Sequence, residues 1–301
     1  MKAFSTPHSG NAGIQPAQWG SELGPVAETS EHADWEGAVL RVRTSSMFRS
    51  AWRLARFGLA LGGALVRFAV SRRHRTLRGR AEWLQDSCRR VAAAIGLEIR
   101  TTGPAIAGGL VVSNHLGYLD IVAIGAMHPC TFLSKSEVRS WPVIGWATRA
   151  AGTLFVRRER RGDISQAARA IAERIAAGGS VMVFPEGTSS DGSRVLPFHA
   201  GVFESVAGTD VRVTPIRISY GLADGDPATE VCYWGDMTFV PHFLHLLRKQ
   251  QIVVNVLVGK AFPADVDRKR LAQRSHKAVA ALNPDSGATG VCEDMGVGVR
   301  N

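Results

Sequence analysis

The 301 residues predict an α/β domain, its sheet mainly parallel or mixed and flanked by helices, preceded by an N-terminal interfacial helical region. Two observations carry this. From about Leu110 onward, short apolar runs alternate with stretches of helical periodicity, as in strand–helix–strand units. Ahead of them, residues 41 to 100 hold fourteen arginines, no lysine and three acids around one wholly apolar run. The chain is long enough for one large α/β domain with appendages.

Residues 1 to 40 carry one lysine and five acids among Gly, Pro, Ser and Ala; with little to bury, they are expected to be disordered. Residues 41 to 100 form the basic, membrane-associating helical region. Its apolar core "FGLALGGALV", Phe57 to Val66, is ten residues long, well short of the roughly 20 that a spanning helix needs. At about 100° per residue Arg49, Arg53, Arg56 and Arg67 share one narrow helix face, with Trp52, Leu54, Phe57, Leu61, Leu65 and Phe68 over the rest. Such a helix suits the bilayer interface, its guanidinium groups reaching lipid phosphates. The alternative is a helix packed on the domain with its arginines in water. "SRRHRTLRGR", residues 71 to 80, adds a polybasic block attracted to anionic lipid.

Residues 101 to 282 form the α/β domain. "GGLVVSN", "CTFLSK", "GTLFVRR", "SVMVFPE", "VRVTPIRISY", "EVCYWGD" and "IVVNVLVGKAF" read as strands, and "SWPVIGWATRAAG" as a short helix or buried connector. Asp163 caps a helix in which Ala167, Ile171 and Ile175 share a face and which Gly178-Gly179 ends. Further helices are expected near 198 to 206, 241 to 250 and 266 to 282. The Gly-rich residues 283 to 301 read as a flexible tail.

A formal charge of +10 points to an anionic partner: a membrane surface, a nucleic acid or an acidic carrier protein. The Arg-rich segment is interleaved with apolar residues and lacks an aromatic stacking pattern, which favours lipid over nucleic acid. Four scattered cysteines and the absence of an apolar leader point to a reduced, cytoplasmic setting. His242 and His245 share a helix face, but no Cys or acid lies near them in sequence, so a solvated helix is favoured over a metal site.

Three stretches carry chemistry. In "VVSNHLGYLD", His115 and Asp120 would lie some 140° apart on a continuous helix (about 500° of turn), so they meet only if His115 sits in the turn and Asp120 in the first turns of the helix. The carboxylate then holds one ring nitrogen and leaves the other to take a proton. No G-x-S-x-G elbow is present and no Cys lies in the three stretches, so the histidine activates a substrate hydroxyl directly. "GTLFVRR" ends in Arg157 and Arg158, a pattern that suits phosphate or carboxylate groups or, alternatively, a solvated charge run. In "VMVFPEGTSSDG" a buried strand stops at Pro185 and presents Glu186, Gly187 and Thr188, where α/β sheets place ligands.

Together these stretches resemble the glycerolipid acyltransferase family that includes the bacterial 1-acylglycerol-3-phosphate acyltransferases, over roughly residues 50 to 275. Its blocks match, in order, Asn114, His115 and Asp120; Gly152, Phe155 and Arg158; Phe184 to Thr188; and Pro215; Lys135 and Gly201 also match. The resemblance implies that His115 deprotonates a lysolipid hydroxyl, which attacks a fatty acyl thioester of coenzyme A or acyl carrier protein. Asp120 orients His115, Arg158 holds the acceptor's anionic head, and Asn114, Glu186, Gly187 and Thr188 belong to the substrate site. No metal or other cofactor is implied.

The expected acceptor is 1-acylglycerol-3-phosphate, at the cytoplasmic face of the cell membrane. Two departures touch the head-group site: Ser189 stands where the family commonly has Arg, and Arg157 where an acid often precedes the second-block Arg. They leave open a lyso-ornithine lipid acceptor, whose head carries a carboxylate. The rival from another class is a basic membrane- or nucleic-acid-binding protein, for which His115, Asp120 and Glu186 would have no evident use.

Overall fold

The computed structural model describes residues 31 to 140, 144 to 157 and 161 to 283. The expectations for residues 1 to 30, for Arg158 and for the tail from 284 onward lie outside them, whereas residues 31 to 40, expected to be disordered, are helical. The chain divides into two compact units at Arg43/Thr44, and of the first only the start of helix α1 (Glu31–Val70) is described.

The second unit is built on one sheet of eight strands: β1 (Leu97–Thr102), β2 (Gly109–Ser113), β3 (Thr131–Lys135), β4 (Leu154–Val156), β5 (Ser180–Val183), β6 (Arg212–Leu222), β7 (Ile252–Val258) and β8 (Phe262–Pro263). Their spatial order is β1-β7-β6-β2-β5-β3-β4, with β8 also on β6. Strands β2 to β6 are mutually parallel, β7 runs antiparallel to β6, and β1 pairs parallel with β7. This is the mixed sheet the sequence predicts. The central strands are apolar on both faces, as helix-covered strands must be: Leu110, Val111, Val112, Val181, Met182 and Val183 are all buried.

The helices are α2 (Leu77–Ile95), α3 (Tyr118–Met127), α4 (Ile144–Ala150), α5 (Arg161–Ala176), α6 (Pro227–Glu230), α7 (Phe239–Leu246) and α8 (Arg268–Ala281). A short 3₁₀ turn covers Ala200–Ser205. Helix α2 opens on Thr76, whose hydroxyl accepts from Gly79 N–H, and closes on Gly96 at φ 75. Helix α5 begins two residues before Asp163, which lies in the first turn instead of capping it.

Pro215 sits mid-sheet without breaking it. Its nitrogen, which carries no hydrogen, faces the gap between the β6–β7 ladder, which starts at Ile216, and the β6–β8 ladder, which ends at Val213, while its carbonyl accepts from Gly259 N–H.

Two further expectations are corrected. "EVCYWGD" is not a strand: β6 and β7 pair directly and leave no place for one, and the segment turns out of α6, with Val231 and Cys232 N–H both on the Pro227 carbonyl. The arginines of α1 do not all face outward. Arg53 donates to the carbonyls of Leu247, Lys249 and Gln250, and Arg49 to that of Arg248. The end of α7 and the turn after it expose carbonyls without helical partners, and cations satisfy them. Phe57 packs on Phe243, and Phe68 on Trp83 and Trp146, so this side of α1 is seated on the domain. Met47, Phe48, Trp52, Leu59 and Val66 are left exposed, Phe48 at 75% and Trp52 at 58%. Among the described residues no helix is long and apolar enough to cross a membrane.

Candidate active site

Because β2, β3, β4 and β5 are parallel, the turn with His115, the end of β3 at Lys135, the end of β4 at Arg157 and the loop with Glu186 open on one edge of the sheet. Topology thus brings together stretches that are more than 70 residues apart in the chain.

His115 lies between β2 and α3, and Asp120 is the third residue of α3. The imidazole Nδ1 is 2.7 Å from Asp120 Oδ2. That oxygen also accepts from Leu116 N–H at 2.6 Å and Gly117 N–H at 3.0 Å, while Oδ1 accepts from the Tyr220 hydroxyl. Asp120 is fully buried. All four groups facing the two carboxylate oxygens are positioned as donors, so Asp120 acts as the acceptor and Nδ1 carries the hydrogen between the two side chains. Nε2 has no hydrogen-bond partner among the described residues, and the ring, about a fifth exposed, stacks on Phe184 with centroids 4.1 Å apart. The pair can therefore accept a proton at Nε2 and stabilise the resulting imidazolium.

The turn is held on three sides. Tyr233 N–H donates to Leu116 O at 2.7 Å and Ser190 N–H to His115 O at 3.0 Å. A Cβ on Gly117 would meet the Tyr233 backbone N at 3.0 Å, which is why glycine follows Leu116. On the third side, Glu186 Oε2 accepts from His115 N–H at 3.0 Å and Oε1 from Leu196 N–H at 2.8 Å. Phe184-Pro185-Glu186-Gly187 is a tight turn, closed by Gly187 N–H on Phe184 O, with Gly187 at φ 79. Burial pushes the Glu186 carboxyl up from 4.5 to about 7, against the pull of its two N–H donors and His115. Both oxygens are thus engaged with backbone, tying the His115 turn to the loop.

Asn114, 4% exposed, is likewise engaged: its amide donates to Ile218 O at 3.0 Å and accepts from Ile218 N–H at 2.8 Å. It pins the end of β2 to β6. Thr188 is exposed, with its hydroxyl 3.4 Å from Ser189 O, and Ser189 is half-buried. Arg157 is half-exposed and binds Asp163 through Nε at 2.5 Å. His242 bonds Tyr118 and His245 pairs with Glu230; no cluster of three potential metal ligands occurs among the described residues. Cys232, pushed up to about 12 by burial and then by nearby Asp120, Asp191 and Asp226, stays a thiol.

Sequence reasoning passed over Tyr220, Tyr233 and the Phe184 stack. For Tyr220 a signal existed, since Ile216, Ile218 and Tyr220 alternate on one face of β6.

The Acyltransferase family profile matches residues 95 to 219, the span that holds the His115–Asp120 pair and Glu186. The lyso-ornithine lipid O-acyltransferase of Pseudomonas aeruginosa is 37% identical over 199 residues, 65% of this chain and 75% of that one. The chain belongs to this acyltransferase family. The 1-acyl-sn-glycerol-3-phosphate acyltransferase of Neisseria gonorrhoeae is 39% identical over 130 residues, 43% of this chain and 51% of that one. In fold, the chain is similar to the crystal structure of the 1-acyl-sn-glycerophosphate acyltransferase PlsC from Thermotoga maritima, with a TM-score of 0.58 at 18% identity, over 79% of this chain and 95% of that one.

Proposed function

We propose that the protein transfers a fatty acyl group from a thioester, acyl-CoA or acyl carrier protein, to the hydroxyl of lyso-ornithine lipid. The observation that carries the reaction is the His115–Asp120 pair with Nε2 open. His115 takes the proton of the acceptor hydroxyl as its oxygen attacks the thioester carbonyl. The C–S bond of the tetrahedral adduct then breaks, and the thiolate leaves with the proton from the imidazolium. Asp120 stabilises the imidazolium in between. Arg158, in the family's head-group position, binds the acceptor's anion; Glu186 and Asn114 hold the turn, and Gly187 and Thr188 line the approach.

The acceptor rests on the relatives and on two residues. The lyso-ornithine lipid enzyme aligns with 65% of the chain and the glycerol-phosphate enzyme with 43%. Ser189 removes a cation that suits phosphate, and Arg157 is engaged by Asp163. The second reading, 1-acylglycerol-3-phosphate, is supported by the Neisseria relative. Offering both lysolipids side by side with each thioester, and weighing the products by mass spectrometry, tests the proposal. Preferential acylation of 1-acylglycerol-3-phosphate would overturn the acceptor, and thioester consumption with neither would overturn the activity.

In this reading residues 41 to 100 form the membrane-associating region and 101 to 282 the catalytic domain, with β1 passing from one to the other. The exposed apolar side of α1 lies in the interface of an anionic membrane, with the polybasic block beside it. The free, buried Cys88, Cys130 and Cys232 accord with the cytoplasmic face.

A further inference from the structure

The two oxygens of Asp120 are held differently. Oδ2 gathers three donors, the His115 ring and the N–H groups of Leu116 and Gly117, all from its own turn. Oδ1 has one donor among the described residues, the phenol of Tyr220, 100 residues away on β6. Tyr220 reaches it because Asn114 grips Ile218 by both backbone groups, and two residues along a strand return to the same face. Without that phenol, Oδ1 would be a fully buried anionic oxygen with nothing to hold it.

We infer that Tyr220 is a positioning residue for acyl transfer: it anchors the second oxygen of Asp120, fixing the carboxylate plane and, through it, the direction in which His115 presents Nε2. The inference rests on the acyl-transfer reading above. Anchoring at one oxygen only would let the carboxylate rotate about Cβ–Cγ and carry the ring with it. The phenol also withdraws charge from the carboxylate, which then holds the imidazolium proton less tightly and returns it more readily to the leaving thiolate. Burial, followed by the Asp120 charge, keeps the Tyr220 phenol well above its ordinary range, so it remains a donor throughout. The other titratable groups around the pair are Tyr118 from α3, Glu186 from the loop after β5 and Cys232 from the segment after α6; His242 of α7 lies behind Tyr118.

The test uses the full chain, a long-chain acyl thioester and lyso-ornithine lipid in mixed micelles. Tyr220→Phe keeps the ring and removes the hydroxyl. It is expected to lower kcat about tenfold to a hundredfold, with the acceptor KM within about twofold. The acid limb of kcat/KM should move to higher pH by up to about one unit, because the carboxylate no longer shares its charge with the phenol. The same displacement is expected in a Glu186→Gln background, which removes the one nearby carboxyl that titrates close to neutrality. Site-specific 3-fluorotyrosine at 220, a stronger donor of nearly the same shape, should retain kcat and move the limb to lower pH; it decides the matter if Tyr220→Phe does not fold. The low-field NMR resonance of the proton between His115 and Asp120 reads the contact without turnover and should shift in Tyr220→Phe. If wild type proves inactive while that resonance shifts, the functional reading falls and the anchoring stands. A folded Tyr220→Phe protein with an unmoved limb, an unmoved resonance and kcat within twofold of wild type would reduce Tyr220 to packing and overturn the inference.

Discussion

His115 commits one nitrogen to Asp120 and keeps the other open, so His115→Ala should lower kcat by about 10²- to 10⁴-fold while the fold is retained. Steady-state kinetics beside near-ultraviolet circular dichroism checks this, and a folded variant within a few-fold of wild type would sink the mechanism. Asp120→Asn places an amide where three donors converge on one oxygen, so it should lose activity to a similar or smaller extent and stability as well. Arg157 and Arg158 should behave differently. Arg157→Ala breaks a half-exposed pair with Asp163, which costs roughly 0–1 kcal/mol in solvent, and leaves acceptor kinetics nearly unchanged. Arg158→Ala should lower kcat/KM for the acceptor about tenfold to a hundredfold without affecting the thioester KM. Equal, small losses in both would mean that this strand end does not bind the head group.

At the scale of the element, α1 works in two directions. Its Arg49 and Arg53 cap the end of α7, and Arg53→Ala, which strips three carbonyls of their donor, should destabilise the domain by about 1–3 kcal/mol in urea unfolding. Its opposite side presents Phe48 and Trp52 to the surroundings. Replacing both with Glu should leave stability unchanged and abolish flotation with anionic vesicles. Because the contact surface is apolar, high salt alone should not strip the wild-type protein from vesicles, whereas detergent should. Flotation that survives the double substitution would refute the interfacial role of this face.

For the whole molecule, the Glu186 carboxyl links stability to pH. Its value of about 7 lies above the ordinary 4.5, so the folded chain binds more protons than the unfolded one between these limits. Its contribution is therefore fully present below about pH 4.5, declines as pH rises, and is lost above about pH 7. In urea titrations the advantage of wild type over Glu186→Gln should be larger at the acid end of that window than above it. A difference constant across the window would show that Glu186 does not titrate there. The same carboxyl joins the His115 turn to Leu196, so protonation and the rigidity of the site are coupled through one side chain.

Much was legible in the residues themselves. Apolar runs such as "LVV" and "VMV" announced buried strands, the break at Gly178-Gly179 announced a helix end, and the His-x4-Asp spacing defined a pair that only a turn before a helix can close, because these are local consequences of backbone geometry. What only the tertiary structure decided was which distant groups meet. The spacing of Arg49 and Arg53 gave a stripe but not its direction, and the bare carbonyls at the end of α7 turned it inward, leaving Phe48 and Trp52 outward. Asn114 and Glu186 carried no mark distinguishing a substrate contact from a brace until Ile218, His115 and Leu196 were found on their polar atoms. Tyr220 could be matched to Asp120 only by the register of β6 against β2, a pairing set by packing across 100 residues and invisible to any local pattern.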